Sequence, residues 1–236
     1  MKRLYLTVEG QTEAAFATAV LRPHLANFSV FVLPPRFTGL HRRRRGRIPT
    51  GGMLNTFGHA LADMRTWLKE DQSADVRFSM MIDLYGLPAD FPGYEHGMSK
   101  PTGREKAESL QGSLASELGD DRFIPYLQVH KFEALVLCNP RRIATLYDVK
   151  RVELDGLCQE CGRFDCPEEI NEGQHSHPKY RIQRRVPDYD ENVAGPLLAE
   201  DVGLATLRTE CPHFGAWLRR LETLDEEAGE RREPVE

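Results

Sequence analysis

Apolar and polar positions follow two rhythms along the first half of the chain. Four continuous apolar or β-branched runs are typical of buried strands: residues 3–8, 28–33, 76–82 and 123–129. Between these runs, apolar residues recur at helical spacings of three and four, over residues 14–21, 53–70 and 104–118. This alternation of strand and helix indicates an α/β fold with a largely parallel sheet flanked by helices.

The second half of the chain has no comparable strand-like run. Its helical patterns lie at residues 140–147, 191–208 and 212–224. We therefore expect an α/β core over residues 1–138 and a mostly helical and loop elaboration, packed on that core, over residues 139–224. The tail, residues 225–236, is charged and poor in apolar residues, so it is predicted to be disordered.

Composition narrows the class of protein further. The 236 residues are 40% hydrophobic and 28% charged, as in ordinary globular proteins, and the net charge of −5 excludes a basic nucleic-acid coat protein. No apolar run approaches the ~18 residues that a membrane span requires. The N-terminus lacks a secretory signal pattern. A cytoplasmic location with no membrane contact is therefore expected, whereas nothing indicates an oligomeric state.

Acidic residues follow three of the four predicted strands. Glu9 comes after the first strand, Asp83 after the third, and Glu133 just beyond the fourth, while Glu13 lies one helical turn past Glu9. The carboxyl ends of parallel strands meet at one edge, where α/β proteins bind ligands. Singly, each acid also fits a helix-start or turn-capping role. Together they are better explained by a hard divalent cation, Mg²⁺ or Mn²⁺, because clustered like charges repel.

A basic segment follows the second predicted strand. Its charge comes from Arg42, Arg43, Arg44, Arg45 and Arg47. Such a loop can contact a nucleic-acid backbone through charge and counterion release, with little sequence specificity. The alternative is a solvated loop in an arginine-rich protein.

Five cysteines, an odd number, argue against a disulfide framework. Three of them cluster together with two histidines, and these are the ligand types of a structural zinc site: Cys158, Cys161, Cys166, His175 and His177. The spacing to a fourth ligand is irregular, and no second C-x₂-C pair follows. The alternative is a loop with free thiols.

Several motifs together resemble a known family. In chain order they are VEGQTE, MIDLYGLPADFPG, QVHKFEALV, INEG…HPKYRI and CPHFGAWLRRL. The first resembles the Toprim domain of topoisomerases, primases and overcoming-lysogenization-defect (OLD) nucleases. The ordered set resembles a bacterial family of Toprim-like proteins often encoded beside ATPases in anti-phage defence loci. The resemblance runs from Lys2 to about Leu224 and implies a Toprim/Rossmann-like fold.

The resemblance also implies roles for single acids. Glu9 matches the Toprim glutamate that acts as general acid/base or metal ligand, and Glu13 matches the second acid of the OLD type. Asp83 matches the first residue of an Asp-x-Asp pair, whose second position is Tyr85 here. Glu133 is the candidate that would supply the missing oxygen.

Basic residues near the second-half motif complete the implied site. Lys179 lies where OLD-type nucleases have a basic residue that stabilises transition-state charge, and Lys179 or Arg181 would clamp non-bridging phosphate oxygens. The sequence therefore predicts a metal-dependent Toprim-type nuclease acting on DNA or RNA with an ATPase partner. The first alternative is a binding or regulatory subunit that has lost catalysis, which Tyr85 favours. The second is phosphotransferase or phosphatase action on a nucleotide.

Overall fold

The computed structural model describes residues 1–38, 56–170 and 173–225, and these residues form an α/β fold. Every pairing within the sheet is parallel. Its six strands are β1 (Lys2–Val8), β2 (Val30–Val32), β3 (Arg36–Phe37), β4 (Val76–Asp83), β5 (Phe123–Ile124) and β6 (Leu127–Gln128). The order is β2–β1–β4–β5, with β3 also paired to β1 and β6 to β4. The predicted parallel α/β sheet is confirmed.

The two faces of the sheet are covered by different parts of the chain. Alternate residues of β1, such as Leu4 and Leu6, pack on one face with apolar residues of the second half, including Leu198 and Leu218. On the other face, alternate residues of β4 pack against the helices that flank β4 in sequence. The predicted elaboration thus shares one continuous core with the sheet.

Among the described residues, five α-helices precede β5: α1 (Gln11–Phe16), α2 (Arg22–Ala26), α3 (Gly58–Glu70), α4 (Tyr94–Met98) and α5 (Gly103–Leu118). A π-helical stretch, Ala17–Leu21, joins α1 to α2, so the helix continues through Pro23 to Ala26. Gly10 is the N-cap residue of α1. Thr102 caps α5 in a reciprocal capping box with Glu105.

Among the described residues, six α-helices follow β6: α6 (Glu133–Val136), α7 (Arg151–Cys161), α8 (Pro178–Gln183), α9 (Glu191–Val202), α10 (Leu204–Glu210) and α11 (Pro212–Glu222). Short 3₁₀ helices span Pro140–Thr145 and Pro167–Glu169. The sequence did not predict α7 and α8. The predicted helix over residues 191–208 is divided at Gly203, whose φ of +82° a glycine adopts readily.

Two predicted strands are shorter than expected. The run over residues 28–33 keeps only β2, because Ser29 adopts a φ of +57° before it. The run over residues 123–129 is interrupted at Pro125, which has no N–H to donate to a ladder. Across the sheet, the Trp217 indole N–H on α11 donates to Ser79 Oγ of β4 at 3.0 Å, which ties the last helix to the central strand.

Some predictions fall on residues 39–55, 171–172 and 226–236. The arginines at positions 42–47 and nearly all of the predicted disordered tail lie outside the described residues. Within the described residues, no helix is both long and apolar enough to cross a bilayer.

Candidate active site

Glu9 and Asp83 meet at the carboxyl edge of the sheet. Strands β1 and β4 pair in register up to Val8 and Met81, so the residues that follow them leave the sheet side by side. The backbone N–H of Asp83 donates to Glu9 Oε2 at 3.2 Å. The predicted convergence of these two acids is confirmed by this contact.

Glu13 turns back from α1 toward the same edge. Its Oε2 accepts the Gly10 N–H at 2.8 Å, and a Cβ on Gly10 would lie 3.3 Å from that oxygen. Burial raises the pKa of Glu13 to about 7, and the charge of Glu9 adds to the rise. Glycine at position 10 thus allows a buried carboxyl group to fold onto the end of β1.

Asp83 has unused bonding capacity. Among the described residues, its Oδ1 is buried and has no hydrogen-bond partner. Burial raises the pKa of Asp83 well above its ordinary value, and the charges of Glu9 and Glu13 raise it further. A buried acceptor without a partner is costly, so this oxygen is suited to receive a cation or a proton.

A tight turn after β6 brings a third segment to the edge. β6 pairs with β4 as far as Gln128 and Asp83, and His130 then adopts a φ of +62°. The Tyr85 N–H donates to the His130 carbonyl at 2.9 Å, and a Cβ on Gly103 would lie 2.9 Å from His130 Nε2. This left-handed residue redirects the chain toward the carboxylates, and backbone strain of this kind clusters at functional sites.

Lys131 is the cation nearest to Asp83 within the described ranges. Its Nζ lies 4.0 Å from Asp83 Oδ2 and 4.8 Å from the centroid of the Tyr85 ring. Burial lowers the pKa of Lys131, but the charges of Asp83, Glu133 and further carboxylates outweigh burial, so the pKa is raised. The ammonium group is therefore charged and partly neutralises the acids.

Glu133 lies at the start of α6 and is almost fully buried. Burial raises its pKa to about 7, Glu191 adds to the rise, and Lys131 opposes it. The nearby Tyr189 side chain is 4% exposed, and its hydroxyl has no hydrogen-bond partner within the described part of the chain. The second half of the chain therefore contributes polar groups to the site.

Helix α9 brings Glu191 to the site by close packing on α1. The Thr12 hydroxyl donates to the Glu191 carbonyl at 3.3 Å. A Cβ on Gly195 would lie 3.2 Å from Thr12 Cγ2 and 3.3 Å from the Tyr189 hydroxyl, so the small residue permits this approach. Glu191 in turn forms an ion pair with Lys179.

Helix α8 supplies Lys179 and the cap residue His177. Lys179 pairs with Glu191 and lowers the pKa of Glu133, so its side chain lies beside these two carboxylates. His177 Nδ1 accepts the Tyr180 N–H at 3.1 Å, and its ring centroid lies 5.3 Å from that of Tyr85. Burial, followed by the charge of Lys131, lowers the pKa of His177 to about 4, so the ring is neutral at pH 7.

Arg181 contacts residues of α7 and of the segment between α7 and α8. Its Nε donates to the Ser176 carbonyl at 2.7 Å, its Nη1 lies 3.4 Å from a Glu160 oxygen, and its guanidinium lies over the Phe164 ring. These contacts hold α8 against α7. The phosphate clamp at Arg181 stays a prediction, whereas Lys179 contacts Glu191, a carboxylate of the site.

The cysteine cluster does not form a preassembled zinc site in the described residues. There, no three or more His, Cys, Asp or Glu side chains are arranged to hold a metal ion. Burial raises the pKa of Cys161 to about 12, so without a bound metal ion its thiol keeps its proton. One nitrogen of His177 is already occupied as a helix cap. The zinc site stays a prediction.

The absence of such a metal-binding arrangement within the described residues also concerns the predicted magnesium ligands. Glu9, Glu13, Asp83 and Glu133 supply the hard carboxylate oxygens that Mg²⁺ prefers, and Asp83 Oδ1 has no partner within the described residues. Glu9 and Glu13 each use one oxygen for a backbone N–H. The donor chemistry fits the metal, although these carboxylates do not form a closed ligand set.

The sequence did not identify Lys131, Tyr189 or Glu191 as residues of the site. Lys131 stood inside a motif that carried the resemblance, two residues before Glu133, and that position was the available signal. Tyr189 and Glu191 join the site through the packing of α9 on α1, which no local pattern reveals.

Comparison with known proteins gives one finding. No curated protein and no solved structure matches the chain significantly. One family model matches residues 8–222, a span that contains every carboxylate and lysine described at this edge of the sheet. The chain therefore belongs to the family described as "Domain of unknown function (DUF4276)".

Proposed function

We propose that the protein is a metal-dependent phosphodiesterase of the Toprim type, a nuclease acting on DNA or RNA. The observation that carries the proposal is the buried Oδ1 of Asp83, which has no hydrogen-bond partner within the described residues. The charges of Glu9, Glu13 and Lys131 all act on the pKa of this carboxyl group. Stability alone does not favour such a group of acids, because burial and then mutual repulsion raise the pKa of Glu13 and of Asp83.

Glu9, Glu13 and Asp83 are the residues that would hold a magnesium or manganese ion, with Glu133 as a further candidate. When bound, the ion would neutralise charge that develops on the phosphate and activate water. Electrostatic repulsion among the three carboxylates would fall in its presence, which supports a cation as the missing component of the site.

The chain's own cations would bind and orient the substrate. Lys131 and Lys179 carry ammonium groups at the site, and both can donate to non-bridging phosphate oxygens. Lys179 would exchange its partner Glu191 for the phosphate. His177 is neutral, and its ring centroid lies 5.3 Å from that of Tyr85.

Proton transfer falls to the buried carboxyl groups. A base with a pKa near 7 is suited to accept a proton from water at neutral pH, and Glu133 has such a pKa. The oxygen of water would form a bond to phosphorus, the phosphorus–ester oxygen bond would break, and the leaving oxygen would take up a proton from the solvent. The proton from water would reside on Glu133.

The wider assignments rest on the resemblance and on the sequence. We propose a cytoplasmic location and action together with an ATPase in anti-phage defence. The segment with Arg42, Arg43, Arg44, Arg45 and Arg47 would add charge attraction to a nucleic-acid backbone. These assignments are independent of the chemistry at Asp83.

The decisive experiment uses the purified chain, with supercoiled plasmid and single-stranded RNA as substrates. Cleavage is expected with Mg²⁺ or Mn²⁺ and not with EDTA, and Asp83→Asn should abolish it. Asp75→Asn is the matched control, since Asp75 precedes the opposite end of β4 and pairs with Arg3 at 2.9 Å. Absence of cleavage with every metal, with and without the ATPase, would falsify the enzyme assignment.

A binding or regulatory subunit without catalysis is the second candidate. Tyr85 favours it, because an aromatic ring stands where the Toprim pattern has an acid. This alternative predicts that Asp83→Asn leaves binding of nucleic acid and of the ATPase intact while no variant or metal yields cleavage. Electrophoretic mobility shift and pull-down assays with the same two variants distinguish the candidates.

A further inference from the structure

Tyr85 and Lys131 form a pair beside Asp83. The Lys131 ammonium nitrogen lies 4.8 Å from the Tyr85 ring centroid, within the range of a cation–π interaction, and 4.0 Å from Asp83 Oδ2. Tyr85 stands two residues after Asp83, at the position where the Toprim pattern has a second acid. In place of an acid, the chain therefore presents a ring with a positive charge above it.

The charge of Lys131 is shared among several acids. Four carboxylates act on its pKa, which places its ammonium group among them: Asp83, Glu133, Glu9 and Glu191. Lys131 therefore lies between Asp83 of β4 and the acids Glu133 and Glu191. In a site with two metals, a second cation would supply positive charge at such a position.

The backbone holds Lys131 in this place. His130 precedes it in a left-handed conformation, and the Tyr85 N–H fixes the His130 carbonyl at 2.9 Å. The side chain of Lys131 is only 20% exposed. A lysine that merely solubilised the surface would need neither a strained turn nor burial.

We propose that Lys131, supported by the Tyr85 ring, takes the place of a second metal ion. The site would bind one divalent metal through Glu9, Glu13 and Asp83, and the ammonium group would supply the second positive charge at the substrate phosphate. This inference rests on the proposed function. It explains why Tyr85 need not be an acid: a lysine requires no carboxylate ligand of its own, and an aspartate there would compete for its charge.

The first test counts metal ions. The full chain, freed of metal with EDTA, is titrated with Mn²⁺ and followed by electron paramagnetic resonance. One Mn²⁺ per chain, with the spectrum of an isolated ion, is expected. Two spin-coupled ions per chain would overturn the inference and leave the nuclease proposal standing. No bound ion together with no cleavage would overturn both.

The second test removes the charge. Lys131→Met should lower the cleavage rate by about 100-fold, as loss of one preorganised donor does. The same change should tighten Mn²⁺ binding by about tenfold, because a competing positive charge is lost next to Asp83. Lys69→Met, on an exposed position of α3, should change neither value. Lys131→Arg, which keeps the charge, should recover part of the rate.

Two outcomes of the second test oppose the inference. Unchanged cleavage in Lys131→Met would show that its charge is not used, and weaker Mn²⁺ binding would show that it merely holds Asp83 in place. If Lys131→Met does not fold, Tyr85→Leu and Tyr85→Phe decide. Loss of the ring should lower cleavage by about tenfold, whereas the phenylalanine variant should lose less, and equal rates would contradict the role of the ring.

Discussion

Two regions of the molecule bury acids whose pKa lies far above the ordinary value, yet they differ in what surrounds them. Glu168 is 2% exposed, and burial raises its pKa to about 7. Its two oxygens accept the backbone N–H groups of His213 and Phe214, at 2.8 and 3.0 Å, where α11 begins. The pKa of Asp83 is raised as well, but one of its oxygens has no hydrogen-bond partner within the described residues.

The comparison shows that a perturbed pKa is a poor guide to function when taken alone. Glu168 is a completed helix cap whose capacity is used by the fold. The carboxylate edge, formed by Glu9, Glu13 and Asp83, keeps an oxygen atom that accepts no hydrogen bond within the described residues. Lys131 lies beside these acids, 4.0 Å from Asp83 Oδ2. Unused acceptors and a shared cation, rather than burial, distinguish the candidate site from the structural acid.

The largest expected effect separates the two regions by activity. Glu9→Gln should lower cleavage by at least about 100-fold, because a ligand charge is lost. Stability should stay close to that of the parent, since the amide oxygen can still accept the Asp83 N–H. Plasmid nicking measures the first quantity and urea denaturation the second. A large loss of stability would show that Glu9 is structural like Glu168.

The next effect appears in stability alone. Glu168→Ala should lower the free energy of unfolding by about 2–3 kcal/mol, because two buried N–H groups of α11 lose their acceptor. Glu169→Ala, on the adjacent half-buried residue, should cost less than about 0.5 kcal/mol. Cleavage per folded molecule should be unchanged in both, as urea unfolding combined with nicking assays can establish.

A third prediction concerns pH, where the two regions should behave alike. The folded-state pKa values of Glu168 and Glu13 are about 7 and exceed the ordinary value of 4.5. Between about pH 4.5 and pH 7, the folded protein therefore binds more protons than the unfolded protein. Their stabilising contribution is complete below about pH 4.5 and is lost as pH rises through about 7. Urea unfolding in EDTA should therefore give a stability that falls from pH 5 to 8, by about 2–3 kcal/mol for each of the two groups.

Glutamine variants assign this slope to single residues. Glu13→Gln and Glu168→Gln should each flatten the pH dependence, because an amide does not titrate. Added Mg²⁺ should restore stability at pH 8 through the carboxylate edge alone, so it should act on the Glu168→Gln protein and less on the Glu13→Gln protein. A slope that stays the same in both variants would contradict the raised pKa values.

The smallest effect tests the turn that carries Lys131. Gly103→Ala would place a Cβ 2.8 Å from Val129 Cγ1 and 2.9 Å from His130 Nε2, so the turn must shift. Cleavage should fall by about tenfold, a cost typical of a misplaced group near the chemistry. Gly112→Ala, in the same helix with nothing within 4 Å, should leave cleavage unchanged and add about 0.5–1 kcal/mol of stability. Equal behaviour of the two variants would remove the turn from the mechanism.

The central parts of the fold and half of the site could be predicted from the sequence. β1 and β4 are long apolar runs that end on acids, and parallel pairing alone brings Glu9 and Asp83 together. Helix α5 follows from its periodicity, and Thr102 with Glu105 forms its capping box. These features depend on residues close in sequence or on one pairing rule.

The remaining parts depend on contacts between distant residues. The left-handed turn at His130 is possible because Gly103 lies against it, and the position of Glu191 depends on the fit of Gly195 to α1. The interruption at Pro125 was readable in principle, since proline cannot donate to a strand ladder. By contrast, the contacts of Arg181 with Glu160 and Phe164 form only in the folded chain, so a sequence pattern cannot show them.

The covering of the sheet by α11 has a consequence for how the protein is made. One face of β1 and β4 is closed by helices encoded after residue 138, and Trp217 reaches Ser79 across 138 residues of sequence. During synthesis that face must remain open until the last helix leaves the ribosome, so folding waits for nearly the whole chain. Lys179 and Glu191 arrive in the same late segment. A truncated or partly synthesised chain would therefore hold the acids of the first half without the rest of the site.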